Sequence, residues 1–158
     1  MFLSESDFSE VIRNTPLVSI DLCILKGREI LLGKRINSPA KDFFFVPGGR
    51  ILKSESKKDT LKRILRNELG LSINVKNKQI KFLGVFEHFY KENFFGNNEF
   101  GTHYVVLAYL IPFEILTKIS NKKIKDQHSE YLWLNIDNKS KYENIIHLNS
   151  LEYFKFIK

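Results

Sequence analysis

The residues with the clearest chemical potential follow the turn Pro47-Gly48-Gly49-Arg50, in the run SESKKDTLKRILRNELGL, residues 54–71. Read as a helix ending at Gly70, this run sets Leu61, Ile64 and Leu65 on one apolar face at i, i+3, i+4. Glu68 falls four residues after Ile64 and three after Leu65, near the middle of that face. A carboxylate held there is costly unless a cation or an Arg compensates its charge. Metal binding is the reading we favour; the alternative is a buried ion pair with Arg63 or Arg66, although Arg63 projects from the opposite side of the helix. Glu55 and Arg63 read as a structural pair holding the loop to the helix. Arg50, beside the glycine turn, suits contact with a phosphate. Arg35, at a strand end, is balanced between a surface ion pair and the same role.

The elements that must position these groups follow from periodicity. Ser4 to Arg13 reads as an amphipathic helix with Phe8, Val11 and Ile12 on one side, stopped by Pro16. Leu17 to Leu25 alternates as a strand, with Ile20, Leu22 and Ile24 on one face and Ser19, Asp21 and Cys23 on the other. Asp21 therefore points to the side where a ligand can lie. Lys26-Gly27 turns the chain into a second strand, Glu29 to Arg35, forming a hairpin. Phe43 to Val46, Gln79 to Tyr90, His103 to Ile111 and Tyr131 to Leu134 read as further strands. Pro112 to Ser129 reads as mixed and partly loop, and Asn149 to Ile157 as a closing helix capped by Asn149 or Ser150. Strands around one long helix predict an α/β (α+β) sandwich on a mixed sheet, as one domain over residues 1–158.

Composition narrows the class. With 43% hydrophobic and 27% charged residues, the chain has the profile of a soluble globule, and no apolar run approaches the ~20 residues of a membrane span. The N-terminus lacks a basic start and long apolar stretch, so a cytoplasmic location is expected. The single cysteine, Cys23, rules out an intramolecular disulfide and reads as an inert core thiol. The net charge of +7 is spread over scattered lysines, which makes nucleic acid an unlikely partner and a phosphorylated small molecule compatible.

From Gly49 the spacing runs Gly, five residues, Glu55, seven residues, Arg63, then Leu65, Glu68, Gly70 and Leu71. This resembles the Nudix box, G-x5-E-x7-R-E-U-x-E-E-x-G-U with U aliphatic, and all seven of those residues match it. Ile64 and Asn67 stand where the box has two glutamates. The opening MFL…DF…V.R.TPLVS.D, FVPGGR, HFY..NF.G, THYVVL and the DQH segment together resemble the GDP-mannose mannosyl hydrolases, an atypical Nudix branch with the same two departures. The similarity runs in order from residue 1 to about 133.

That resemblance implies hydrolysis of GDP-mannose, or of GDP-glucose, at the sugar's anomeric carbon with inversion, releasing GDP and free sugar. It implies one Mg²⁺ per subunit, replaceable by Mn²⁺, held by the Gly48 carbonyl, Glu68 and Gln127. His128 falls on the family's general base and Arg35 and Arg50 on its leaving-group arginines. Asp21, His88 and Tyr104 fall near sugar and diphosphate. The resemblance further implies a homodimer. Its chemistry is coherent: displacing GDP places charge on a diphosphate, which a cation and guanidiniums stabilise, and inversion needs only one base. Two other readings stand beside it, a Nudix pyrophosphohydrolase attacking phosphorus and a Nudix-fold module that binds nucleotide or RNA without turnover.

Overall fold

The computed structural model describes residues 3–96, 98–119 and 128–157. Helix α1 (Glu5–Asn14) is capped by Ser4, whose hydroxyl accepts the Asp7 N–H at 3.1 Å. Strands β1 (Leu17–Lys26) and β2 (Glu29–Arg35) form the expected hairpin, yet pair with each other only at Leu25–Ile30 and Lys26–Glu29. Beyond those pairs they diverge. Strand β3 (Phe44–Phe45) pairs with β2, and β4 (Gly48–Arg50) takes the edge of β1 at Ser19–Asp21. The glycine turn is thus a short strand, which its composition hid.

Helix α2 (Lys57–Ile64) starts after the cap Ser56 rather than at Ser54, and continues as a π-helical turn, Leu65–Leu69. Strand β5 (Leu71–Ile73) follows, then the long strands β6 (Lys81–Tyr90) and β7 (Thr102–Pro112). Strand β8 (Leu116–Lys118) pairs with β5 in a separate two-stranded sheet. Strand β9 (His128–Asn135) is longer than the Tyr131–Leu134 stretch expected, so His128 begins a strand rather than sitting in a loop. The closing helix α3 (Leu148–Tyr153) is capped by His147, not by Asn149 or Ser150. Its aromatic partners, described below, explain the choice.

The main sheet has the order β3-β2-β1-β7-β6, with β4 also on β1 and β9 also on β2. Within this sheet β1 and β7 run parallel, over Leu17–Tyr104 to Leu25–Pro112, and the other strand pairs among the described residues are antiparallel. Alternate residues of these central strands feed two cores, which is why β1 is buried on both faces over most of its length. Ile20, Leu22, Ile24 and Ile111 pack with Leu61, Ile64 and Leu65 of the helix. Cys23, Val106 and Ala108 pack with Tyr153, Phe154 and Ile157 on the other side. The layers are those of an α/β sandwich around a mixed sheet, as expected. Among the described residues no helix is long and apolar enough to cross a membrane.

The loop between β4 and α2 is tied down by Glu55 and Arg63, as their spacing suggested. Arg63 Nε and Nη2 donate to Glu55 Oε1 and Oε2 at 2.6 and 2.9 Å, and Nη2 also reaches the Arg50 carbonyl at 2.7 Å. The Thr60 hydroxyl and Leu52 N–H complete the set at 2.8 and 3.1 Å. The Arg63 bonds above all hold the Glu55 carboxyl down to about 2. Because the folded value lies below the ordinary one, the stabilisation is complete above the usual carboxylate range and fades as pH falls from about 4.5 to about 2. Glu55→Gln should lose about 1–3 kcal/mol of unfolding free energy in urea at neutral pH, with the gap to the parent narrowing across that window. A gap independent of pH would contradict this account.

Candidate active site

A cavity of about 400 Å³ lies where β1 and β2 part. Eight of the nine residues singled out from the sequence line it: Asp21, Arg35, Gly48, Arg50, Glu68, His88, Tyr104 and His128. Gln127, the ninth, lies outside the described residues.

Glu68 is brought to the cavity by the π turn. Gly70 closes that turn with its N–H on the Leu65 carbonyl, five residues back, and at φ 62° occupies the left-handed region that glycine tolerates. Glu68 is only 2% exposed, and its Oε2 has no hydrogen-bond partner among the described residues. Burial pushes the carboxyl up to about 8, against the pull of the Gly48 N–H and then of the Arg35 guanidinium. Gly48 is free to serve it because of ladder register. Leu22 N–H to the Pro47 carbonyl and Ile51 N–H to the Val18 carbonyl, both 2.8 Å, are bonded positions on either side. Alternation then turns Gly48's own N–H and C=O away from β1. A side chain at Gly48 would also overlap the Asp21 carboxylate.

Arg35 supplies the opposite sign. Its Nε is buried without a hydrogen-bond partner among the described residues, and its guanidinium lies 5.4 Å from the Phe45 ring centre. Among the described residues Arg35 and Glu68 do not form an ion pair with one another. Arg50 stacks over Phe8 of α1, 3.8 Å from the ring centre. A Glu68 oxygen and an Arg35 nitrogen that both lack a hydrogen-bond partner among the described residues, on side chains lining the same cavity, suit a ligand carrying both a cation and an anion.

The donor set fits a hard cation. Among the described residues no three His, Cys, Asp or Glu side chains converge on a metal position. The Glu68 carboxylate and the Gly48 carbonyl offer oxygens only, the donor type Mg²⁺ takes, with water and substrate phosphate filling other positions.

Opposite Glu68, Asp21 belongs to a buried relay. The Tyr153 hydroxyl donates to Asp21 Oδ2 at 2.6 Å and lies 3.2 Å from His88 Nε2. With its proton committed to Asp21, the Tyr153 oxygen accepts from His88 Nε2–H. Burial raises the Asp21 carboxyl to about 6 and lowers the His88 imidazole to about 4, so near neutral pH one is ionised and the other neutral. Tyr90 also lines the cavity, and its hydroxyl accepts from Asn149 Nδ2 at 3.0 Å. The ring of His147, the cap of α3, stacks on Phe45 at 4.7 Å and faces Tyr90 at 5.4 Å. Tyr90, His147 and Tyr153 were not singled out from the sequence. Nothing local marks them, since Tyr153 meets Asp21 across 132 residues.

His128 enters from the start of β9, opposite Arg35, and its ring packs on the bare backbone of Gly33. A Cβ on Gly33 would lie 2.5 Å from His128 Cγ. Burial, and then the Arg35 guanidinium, hold the imidazole down at about 4, so the ring is neutral at pH 7. Its Nδ1 lies 3.3 Å from the Tyr131 hydroxyl.

Known proteins share this frame. The NUDIX domain family model matches residues 15–152. The low-salt glycan biosynthesis protein Agl8 of Haloferax volcanii is 34% identical over 128 residues, 81% of this chain and 76% of that protein. An ADP-ribose pyrophosphatase of Methanocaldococcus jannaschii is 38% identical over 71 residues, 45% of this chain and only 40% of its own length. Among solved structures, a MutT NUDIX hydrolase from Burkholderia pseudomallei superposes with a TM-score of 0.71 at 20% identity, covering 92% of this chain and 100% of that one. The last likeness speaks to fold alone. The span of the family model and the Haloferax relative carry the assignment: this chain belongs to the NUDIX family.

Proposed function

We propose that this Nudix hydrolase cleaves a nucleotide sugar, GDP-mannose or its glucose counterpart, by attack of water on the anomeric carbon with inversion, releasing GDP and the free sugar. The observation that carries the reading is that Glu68 and Arg35 line one cavity while each keeps a buried polar atom, Oε2 and Nε, with no hydrogen-bond partner among the described residues. A metal-bound diphosphate satisfies both. Agl8, the Haloferax relative, is named for glycan biosynthesis, which favours a sugar-bearing substrate.

In this reading Glu68, the Gly48 carbonyl and Gln127 hold one Mg²⁺, or Mn²⁺ in its place. When bound, that ion supplies positive charge to the diphosphate. Arg35 and Arg50 add charge-assisted hydrogen bonds to the same group, which strengthen as the bond to the sugar breaks. The departing GDP then needs no proton. His128, neutral in its half-buried site, takes the proton of the attacking water. A diphosphate against Arg35 offsets the guanidinium and makes the imidazole a stronger base. Asp21, fixed by Tyr153 and His88, and Tyr104 orient sugar and diphosphate. Ile64 and Asn67 leave Glu68 as the single carboxylate where the fuller Nudix box has three, which favours carbon over phosphorus as the point of attack. A cytoplasmic homodimer completes the proposal.

The alternative is a pyrophosphohydrolase attacking phosphorus, favoured by the ADP-ribose pyrophosphatase relative, whose match spans less than half of either chain. Proton NMR of the sugar during turnover separates the two. The proposed reaction gives β-mannose first and GDP, whereas sugar phosphate with a nucleoside monophosphate would establish the alternative. His128→Gln should reduce kcat by about 10²–10⁴-fold with KM little changed; near-normal turnover would remove His128 from the role. Gly33→Ala should push the His128 ring aside, lowering kcat and also the urea midpoint, because the methyl meets Cγ, the attached end of the ring, at 2.5 Å. Full activity in that variant would count against the placement of the base.

A further inference from the structure

We infer that Tyr131 is a positioning residue that fixes His128 as the Nδ1–H tautomer, leaving Nε2 as the nitrogen that receives a proton. The inference rests on the proposal that His128 is the base, and it concerns how that base is held.

The Tyr131 hydroxyl lies 2.9 Å from the backbone carbonyl of Glu68 and 3.3 Å from His128 Nδ1. A carbonyl can only accept, so the single phenolic proton goes to Glu68. The oxygen then meets Nδ1 with its lone pairs, and Nδ1 must carry the hydrogen between them. In a neutral imidazole the other nitrogen, Nε2, is then unprotonated. The ring atoms closest to Gly33 are Cγ, Cδ2 and Nδ1, so Nε2 is at the end away from that packing contact.

Two backbone irregularities make this contact possible. Along a regular strand, residues three apart point to opposite faces. Between the pairs Gly33–Tyr131 and Arg35–His128, however, one residue (Lys34) stands on β2 and two (Ser129 and Glu130) stand on β9. The extra residue is a β-bulge, and it brings His128 and Tyr131 to the same side. On the helix, Glu68 lies in the last turn, where carbonyls lack intrahelical partners. Tyr131 satisfies that carbonyl. The backbone of the proposed metal ligand and the ring of the proposed base are therefore joined through one hydroxyl.

An aromatic residue that merely capped the helix would not care which nitrogen of His128 carries the proton. Long-range ¹H–¹⁵N NMR of the full chain at one near-neutral pH reads this directly, with the His128 signal assigned by its loss in His128→Gln. The native protein should give the Nδ1–H pattern. Tyr131→Phe should move the signal towards Nε2–H and lower kcat by at least about tenfold, with the product anomer unchanged. An Nε2–H pattern in the native protein would overturn the inference, whether or not the variant folds. So would a Tyr131→Phe protein that kept both the Nδ1–H pattern and full kcat. Loss of the base assignment is a separate outcome, seen as near-normal turnover in His128→Gln whatever the tautomer.

Discussion

Glu68 and Arg35 line one cavity in this protein, and each keeps a buried polar atom, Oε2 and Nε, without a hydrogen-bond partner among the described residues. Leaving even one polar atom unsatisfied in a core costs about 1–3 kcal/mol, more when it is charged. The surrounding structure keeps Glu68 and Arg35 apart rather than letting them neutralise each other. Arg63, the other guanidinium near Glu68, is occupied by Glu55 and the Arg50 carbonyl. The cavity is thus held in a state that a cation bound to an anion relieves on both sides. A metal-bound diphosphate has that character.

The devices that maintain this state are departures from regular backbone. The divergence of β1 and β2 opens the space, and β4 fills the exposed edge with glycines whose bare backbone accommodates Asp21 and serves Glu68. The π turn presents the Glu68 side chain inward while offering its carbonyl to Tyr131. The bulge in β9 aligns Tyr131 with His128, and Gly33 leaves room for the imidazole. Each departure interrupts a ladder or a helix, and the interruptions cluster around the same cavity. Such irregularities recur at functional sites because they re-aim side chains that a regular element would send elsewhere.

Much of this was legible in the chain itself. Ile64, Leu65 and Glu68 announced a carboxyl group on a buried face, the alternation of β1 set Asp21 opposite Ile20 and Leu22, where it lines the cavity, and Glu55 and Arg63 announced their pairing. The layered sandwich followed from strand periodicity around one helix. What could not be read was set by tertiary context. Gly48–Arg50 has no strand propensity and is a strand only because β1 offers an edge. His128 reads as a loop residue because the pairing that extends β9 to it is supplied by Arg35. His147 caps α3 because Phe45 and Tyr90 provide aromatic faces for its ring, and Tyr153 finds Asp21 from the far end of the chain. Tyr131 was hidden by the bulge, since strict alternation sends it away from His128.

In the proposed reaction, the single carboxylate remaining from the Nudix cluster shifts hydrolysis from phosphorus to carbon. The destination of the solvent oxygen tests it most directly. Turnover of GDP-mannose in ¹⁸O-labelled water, followed by mass spectrometry of both products, should place the label on the sugar and leave GDP unlabelled. Label on a phosphate product would contradict the account.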